Sequence, residues 1–341
     1  MKTIIFVVLL IASIERLQAK DVPKNLFKFS VPDAPEEVHE ETQYDILIEE
    51  IRSIAKNLAS FSNDVEKVFS PRSGGDSYGY DPDSELPPNR WSEKWPTCAG
   101  IRQSPINLDL SSCQKDLSGS PLKFYNFERR PLNTYVENLG HTIQISFRFN
   151  KHSPYITRGK FNSERYDFAQ LHFHFGETDE VGSEHTLNSE SSSLELHLVF
   201  YKSTYGDTST ASQYTDGLVV VAFLFQASDD VPNKLFTQNL SRVTDPGNSV
   251  TVNSPKGNRL IDFVGSLNFE YAMYYGSLTT PPCSEAVTWY VSTNVQEMSR
   301  GDLEGFRSVM GEEGSMGGNN RPTQPINSRV CYLHFHIGDD D

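Results

Sequence analysis

Seven residues, Gln170-Leu-His-Phe-His-Phe-Gly176, constrain this chain more than any other stretch. A strand turns alternate side chains to opposite faces, so His172 and His174 point one way while Leu171, Phe173 and Phe175 fill the other. A second apolar run, Leu194 to Tyr201, reads as another strand, with Glu195, His197 and Val199 sharing one face. If the two strands are neighbours, three imidazoles converge with one coordination position left over. Zinc held by three protein nitrogens with an open fourth site is the catalytic arrangement, whereas structural zinc is closed by four ligands. A lone His-x-His would be read more plainly, as two satisfied strand histidines.

The rest of the chain suits that reading. From about Asp76 it is rich in short β-type runs, Thr142–Phe149, Phe168–Phe175, Leu194–Tyr201, Leu218–Gln226 and Ala286–Thr293. Helical periodicity is sparse, with candidates only near Val231–Leu240 and Asn258–Leu267. This predicts a mainly β (α+β) domain with short peripheral helices. The formal net charge of −15 argues against a nucleic-acid partner, whose phosphates demand a basic surface.

The ends of the chain read as an address and an extension. Residues 1–19 combine Lys2, an apolar run from Ile4 to Ile14 and the small-residue site Leu17-Gln18-Ala19, the pattern of a secretory signal peptide. No later stretch is long and apolar enough to span a bilayer, and the tail carries no lipid-anchor signal, so the mature protein is expected to be secreted without a membrane anchor. Four cysteines without a C-x-x-C pair, Cys98, Cys113, Cys283 and Cys331, suggest two disulfides, with three pairings open. Asn239-Leu-Ser241 is one glycosylation acceptor. Residues 20–75 form an acidic leader. Within it, about Thr42 to Phe69, an apolar seam runs Tyr44, Leu47, Ile51, Ile54, Leu58, Phe61, Val65 and Val68. Alternating steps of three and four are a coiled-coil period. Ile48 and Ala55 widen the seam, so homo-oligomerisation through this helix is the first reading, docking onto the protein's own domain the second and a removable pro-segment the third. Ser70 to Gly75 reads as a linker, 76–337 as the main domain and 338–341 as an acidic tail.

The separated motifs of the main domain resemble one family, the α-class carbonic anhydrases. They are Gln103-Ser-Pro-Ile-Asn107, Asn138-Leu-Gly-His141, Gln170 to Gly176, Ser183-Glu-His-Thr186, Glu195 to Val199, Ser277-Leu-Thr-Thr-Pro-Pro282, Thr288-Trp289 and Asn320-Arg-Pro-Thr-Gln-Pro325. The resemblance implies a large, twisted, mostly antiparallel central sheet with zinc at the base of a conical cleft. It implies a zinc lyase, a carbonate dehydratase that reversibly hydrates carbon dioxide to bicarbonate and a proton through zinc-bound hydroxide.

Bulk water, with a pKa of 15.7, holds almost no hydroxide at neutral pH, and zinc on three neutral imidazoles lowers that value to about 7. His172, His174 and His197 fit as the zinc ligands. By the resemblance Gln170 supports His172, Glu195 supports His197, and Thr279 with Glu184 orients the hydroxide. Thr280 helps hold bicarbonate, and Val199, Val220, Leu278 and Trp289 line the carbon dioxide pocket. His141 is the proton shuttle, suited to it by an ordinary pKa near 6.5, and Tyr80 orders the connecting waters. Cys98–Cys283 matches the disulfide of secreted relatives. That leaves Cys113 for Cys331, helped by the family's pairing of an early short strand with the last.

Some positions depart from the family or fall outside its pattern. Phe175 replaces a common tryptophan, and Thr142 and Gln144 differ from the usual residues near the shuttle, which bears on rate. His185 is read as structural, and His39 and His152 carry no signal. A second Leu-His-Phe-His, with His334 and His336, is expected to be exposed on a terminal strand. Three rival functions stand beside the enzyme. A jelly-roll metal oxygenase also uses His-x-His, then Glu, then His, but Glu177 follows His174 more closely than that pattern has it, and Thr279-Thr280 would have no use there. A catalytically silent or dual-role extracellular binding or mineral-matrix protein would keep the fold, and an adhesion module would hold zinc incidentally.

Overall fold

The computed structural model describes residues 78–116, 122–158, 164–233, 235–253, 258–312 and 314–335. The segments read from sequence as a signal (1–19), an acidic leader with a helix over about 42–69, a linker and an acidic tail lie outside them, as do His39 and His336. The chain divides into two compact units, Met1–Asp76 and Ser77–Asp341. Only the second falls within the described residues.

Its strands are β1 (Asn107–Leu108), β2 (Gln114–Lys115), β3 (Lys123–Tyr125), β4 (Asn133–Asn138), β5 (Ile143–Arg148), β6 (Tyr155–Arg158), β7 (Glu164–Phe175), β8 (Thr186–Leu187), β9 (Leu194–Lys202), β10 (Leu218–Ser228), β11 (Ser249–Asn253), β12 (Tyr271–Gly276), β13 (Val287–Ser292), β14 (Gln296–Ser299), β15 (Met310–Gly311), β16 (Gly314–Ser315) and β17 (Tyr332–His334). Thirteen of these build one sheet with the order β11-β4-β5-β7-β9-β10-β13-β12-β17-β2, extended by β14 on β10, by β6 on β7 and by β3 on β6. Most neighbours are antiparallel; β10 with β13 and β14, and β17 with β2, are parallel, so the sheet is mixed. The helices are short, with α1 at Trp91–Lys94, α2 at Thr208–Ala211, α3 at Ile261–Val264 and α4 at Arg300–Arg307. The two helical candidates from sequence resolve into a 3-10 helix, Leu235–Arg242, and the single turn of α3.

The alternation of β7 and β9 is what sets the two faces of the sheet. Leu171, Phe173 and Phe175 join Leu194, Leu196 and Leu198 in one core, while Val199 belongs to a second core on the other face. The run of β10 is apolar at successive positions because it is covered on both sides. Val219, Val221 and Phe223 enter the first core, and Val220, Ala222 and Leu224 the second. Burying a Leu or Phe side chain fully stabilises by about 1.5–3 kcal/mol, so slipping β7 by one residue would forfeit several such terms and expose the histidines on the wrong face. The register is therefore pinned, with His172 opposite His197 and His174 opposite Glu195. β7 begins earlier than the sequence suggests and carries a register shift between Phe168 and Gln170. Phe175, the tryptophan replacement, is fully buried and packs on Phe306.

Cys98 is joined to Cys283 and Cys113 to Cys331. One expectation is corrected here. His334 is not exposed: its ring stacks on Tyr271 at 4.8 Å, and its Nδ1 lies 3.7 Å from Asp116. The strand pairing of Tyr271 with His334 in β12 and β17 provides that cover. Among the described residues no helix is long and apolar enough to cross a membrane.

Candidate metal centre and active site

Three imidazoles meet at the middle of the sheet. His172, His174 and His197 have ring centroids 4.6–5.1 Å apart, and one nitrogen of each lies within 4.8 Å of the others. Their other nitrogens are occupied. His174 Nδ1 donates to the carbonyl oxygen of Asn319 at 2.7 Å, and His172 Nδ1 to Gln170 Oε1 at 2.9 Å. His197 Nε2 donates to Glu195 Oε1 at 2.7 Å. A carbonyl and a carboxylate only accept, so the proton sits on the outward nitrogen and the inward one is a bare lone pair. His172 Nε2, His174 Nε2 and His197 Nδ1 therefore face one another as three lone pairs. His174 Nε2 is buried with no hydrogen-bond partner, and His197 Nδ1 stands 3.3 Å from His172 Nε2. Two nitrogens about 2.05 Å from one tetrahedral zinc sit about 3.3 Å apart. The donor set fits that ion. Burial holds the three rings neutral, with His174 lowered to about 3 and His172 and His197 also pushed down. That is the protonation state a metal requires.

Around the nitrogens lies a buried polar frame. Glu195 accepts the backbone N–H groups of Glu184 (2.8 Å) and His185 (2.7 Å) as well as His185 Nδ1 (2.7 Å). The imidazoles of His185 and His197 keep its carboxyl well below the usual range against the cost of burial. His185 passes on to the Tyr274 hydroxyl through Nε2 at 2.7 Å, and Tyr274 donates to Ser104 Oγ at 2.8 Å. His185 is thus tied into the frame, in keeping with its structural reading. Glu184 Oε1 lies 3.4 Å from His174 Nδ1 and accepts the Arg321 backbone N–H at 2.9 Å. Burial and the charge of Glu195 push Glu184 up, while the Thr279 hydroxyl and Arg321 pull it down. Its Oε2 is buried with no hydrogen-bond partner.

His172 and His197 open into a cleft of about 520 Å3. Val199, Val220, Leu278 and Trp289 give its lining an apolar part, and Thr279, Thr280, Gln144 and Gln170 a polar one. Trp289 Nε1 donates to Ser277 O at 3.0 Å, which seats the indole against the Ser277–Pro282 turn.

Comparison with known proteins bears directly on this arrangement. A family description of eukaryotic-type carbonic anhydrase matches residues 86–335. The chain belongs to the carbonic anhydrase family. Human carbonic anhydrase 12 is 32% identical over 278 residues, which cover 78% of this chain and 75% of that protein. Mouse carbonic anhydrase 15 is 32% identical over 267 residues, covering 72% and 79%. Mouse carbonic anhydrase 7 is 33% identical over 274 residues, covering 77% and 98%.

The sequence-derived site residues fall into two groups. His141 and Tyr80 line a second chamber of about 480 Å3 with Tyr78, Glu177 and Glu312. The His141 ring packs on Tyr78 at 4.8 Å, and the Tyr80 hydroxyl is buried. Glu177, whose spacing from His174 already departs from the oxygenase pattern, is exposed and leans over Gly317 in that chamber. Thr142 is buried and donates to Phe173 O at 2.7 Å, and Gln144 pairs with His172 in register. Asn239 lies partly exposed within the 3-10 helix, beside the buried Leu240.

Sequence reasoning gave no role to Asn319 or Arg321. Asn319 takes His174 through its backbone, accepts Phe175 N–H on Oδ1 at 2.8 Å and donates from Nδ2 to the carbonyls of His141 and Phe173. The Arg321 guanidinium donates to Gln103 Oε1, Ser104 O and Cys98 O. Their only signal was position, within or next to the Asn320–Pro325 motif.

Proposed function

We propose that this protein reversibly hydrates carbon dioxide to bicarbonate and a proton, with one zinc held by His172 Nε2, His174 Nε2 and His197 Nδ1. The observation that carries this reading is the meeting of three proton-free ring nitrogens at ligand spacing, those of His174 and His197 buried and that of His172 at the mouth of the cleft. Bound there, zinc would supply hydroxide at neutral pH by lowering the pKa of water to about 7.

The chain's own groups then do the rest. Gln170, Asn319 and Glu195 fix the tautomers of the three imidazoles. Thr279 directs its O–H as a hydrogen-bond donor to Glu184, so its oxygen accepts from the attacking hydroxide and turns the hydroxide's lone pair toward carbon. Val199, Val220, Leu278 and Trp289 offer carbon dioxide an apolar seat, and Thr280 lies where bicarbonate leaves. His141 takes the released proton, with Tyr80 ordering the waters between. A silent matrix protein has no use for a threonine set against a buried carboxylate, and so the pair favours catalysis. The two disulfides support export through the 1–19 signal, and Asn239 is the proposed glycan acceptor.

Elemental analysis of the purified chain joined to stopped-flow hydration tests the reading. One zinc per chain and rapid hydration are expected, with both lost in His172→Ala. Zinc-loaded protein that does not hydrate carbon dioxide, or metal-free protein that does so fully, would overturn it.

A further inference from the structure

His141 stands at the end of a turn that another part of the chain grips. Asn138 Oδ1 accepts Gly140 N–H at 2.8 Å, and Asn138 Nδ2 donates to the carbonyls of Val243, Thr244 and Met310. Gly140 sits at φ +86°, a conformation that glycine adopts readily. The β15–β16 hairpin closes on this turn. Glu312 N–H donates to Gly140 O at 2.9 Å, and Met310 N–H to Thr244 O at 2.7 Å. The Glu312 side chain folds over Gly140, so closely that a Cβ there would meet Glu312 Cγ at 2.5 Å and Oε1 at 3.0 Å. This brings a carboxylate to the residue directly before His141, on the wall of the chamber that both residues line.

The charges around His141 point the same way. The chamber presents Asp81 from the N-terminal loop, Glu177 from the segment after β7 and Glu312 from the hairpin, with the phenols of Tyr78 and Tyr80. Neither lysine nor arginine is among its lining residues, and His141 is the one lining group there that can turn cationic. The metal cleft, in contrast, is lined by no carboxylate.

We propose that Glu312 is a positioning residue for the His141 shuttle: it holds the imidazole toward the chamber and stabilises the imidazolium formed when His141 takes up the proton. This rests on the shuttle reading of His141. The proton moves from water at the active site to the imidazole and on to a solvent base. An anion nearby favours the charged form of an imidazole. At solvent-screened separations of several ångströms the effect is about 0.5 pH unit.

The test uses zinc-loaded protein and oxygen-18 exchange between carbon dioxide and water without added buffer, which reads interconversion and proton-dependent water release separately. Glu312→Gln should leave interconversion unchanged, slow release severalfold and lower the pH midpoint of release by about 0.5 unit. Glu312→Asp should recover part of the rate, and added imidazole should rescue both variants. A loss of interconversion in Glu312→Gln would place the effect at the metal and overturn the assignment. Release unchanged in Glu312→Gln but slowed in His141→Ala would remove Glu312 alone. Release unchanged in both would remove the shuttle reading of His141 and this inference with it. Should Glu312→Gln fail to fold, Glu312→Asp and the proton-NMR titration of His141 in the wild type decide. An imidazole midpoint at or below its ordinary value of about 6.5 would overturn the inference.

Discussion

His174 is fully enclosed, and its environment decides which of its protonation states the folded chain can hold. Burial lowers its pKa to about 3, against about 6.5 when unfolded. As pH falls below 6.5 the unfolded chain takes up a proton that the folded chain refuses, so stability is lost from there downward and the loss levels off near pH 3. At pH 5 this amounts to about 2 kcal/mol. Chelator-treated protein should therefore lose stability in urea between pH 7 and pH 5, and metal-free His174→Gln should show a slope flatter by about that amount. Glu184, raised by burial, works in the opposite sense but equally in both proteins. Glu195 is depressed, so its contribution is lost only below the usual carboxylate range, outside this window. Equal slopes would show that His174 is not held neutral. The three histidines were legible in sequence because strand periodicity fixes which residues share a face. The partner of His174 was not, since it is a backbone carbonyl 145 residues away, and a backbone acceptor leaves no mark in residue type. Glu195 was legible only in part. Its tie to His197 lies within one strand, but its bonds to His185 depend on a loop that only the fold brings back.

The Ser277–Pro282 turn is the element on which the proposed chemistry leans, and it has no regular secondary structure of its own. It is fastened instead. Leu278 N–H donates to Ser284 O at 3.0 Å and Cys283 N–H to Thr280 O at 2.8 Å; Ser277 Oγ accepts Ser104 N–H at 2.9 Å. The Thr97 hydroxyl donates to Pro282 O, and Cys98–Cys283 closes 185 residues of chain at the same point. Cys113–Cys331 closes 218 residues at the far edge of the sheet, where β2 meets β17. Loops of such length give about 5 kcal/mol each in the chain-entropy model, and removal of a native disulfide typically costs about 2–5. Replacing either pair by alanine should lower thermal stability comparably. Hydration at a permissive temperature should fall in Cys98→Ala/Cys283→Ala and hold near wild type in Cys113→Ala/Cys331→Ala. Equal activity in the two would mean that the turn holds Thr279 in place without its disulfide. At this scale the central strands were readable from their apolar alternation. The register shift in β7 and the shrinking of two helical candidates were not, because both answer to packing against neighbours distant in sequence.

The molecule as a whole separates its chemistry by charge. A cleft with no lining carboxylate leads to the three nitrogens, and an acidic chamber receives His141. The apolar wall of the first, Val199, Val220, Leu278 and Trp289, was legible through the family resemblance, but the acidic lining of the second was not, since it comes from four separated segments. The leader is the converse case, a pattern legible in sequence that lies outside the described residues. Its seam from Tyr44 to Val68 holds the three-four step through eight apolar residues. A helix of about 25 residues would extend about 37 Å. Such a stripe left in water would be costly, and Ile48 and Ala55 broaden it beyond a two-stranded seam. We expect the chain from residue 20 to self-associate through this stripe, with a mass in light scattering that rises with concentration, while a chain beginning at Asp76 stays monomeric and keeps its hydration rate. Replacing Ile51 and Leu58 with glutamate should return the longer chain to the monomer. Monomers of equal thermal stability in the long and short forms would leave the seam without a structural partner and end the proposal. A monomeric long form that melts higher than the short one would instead assign the seam to the protein's own catalytic domain.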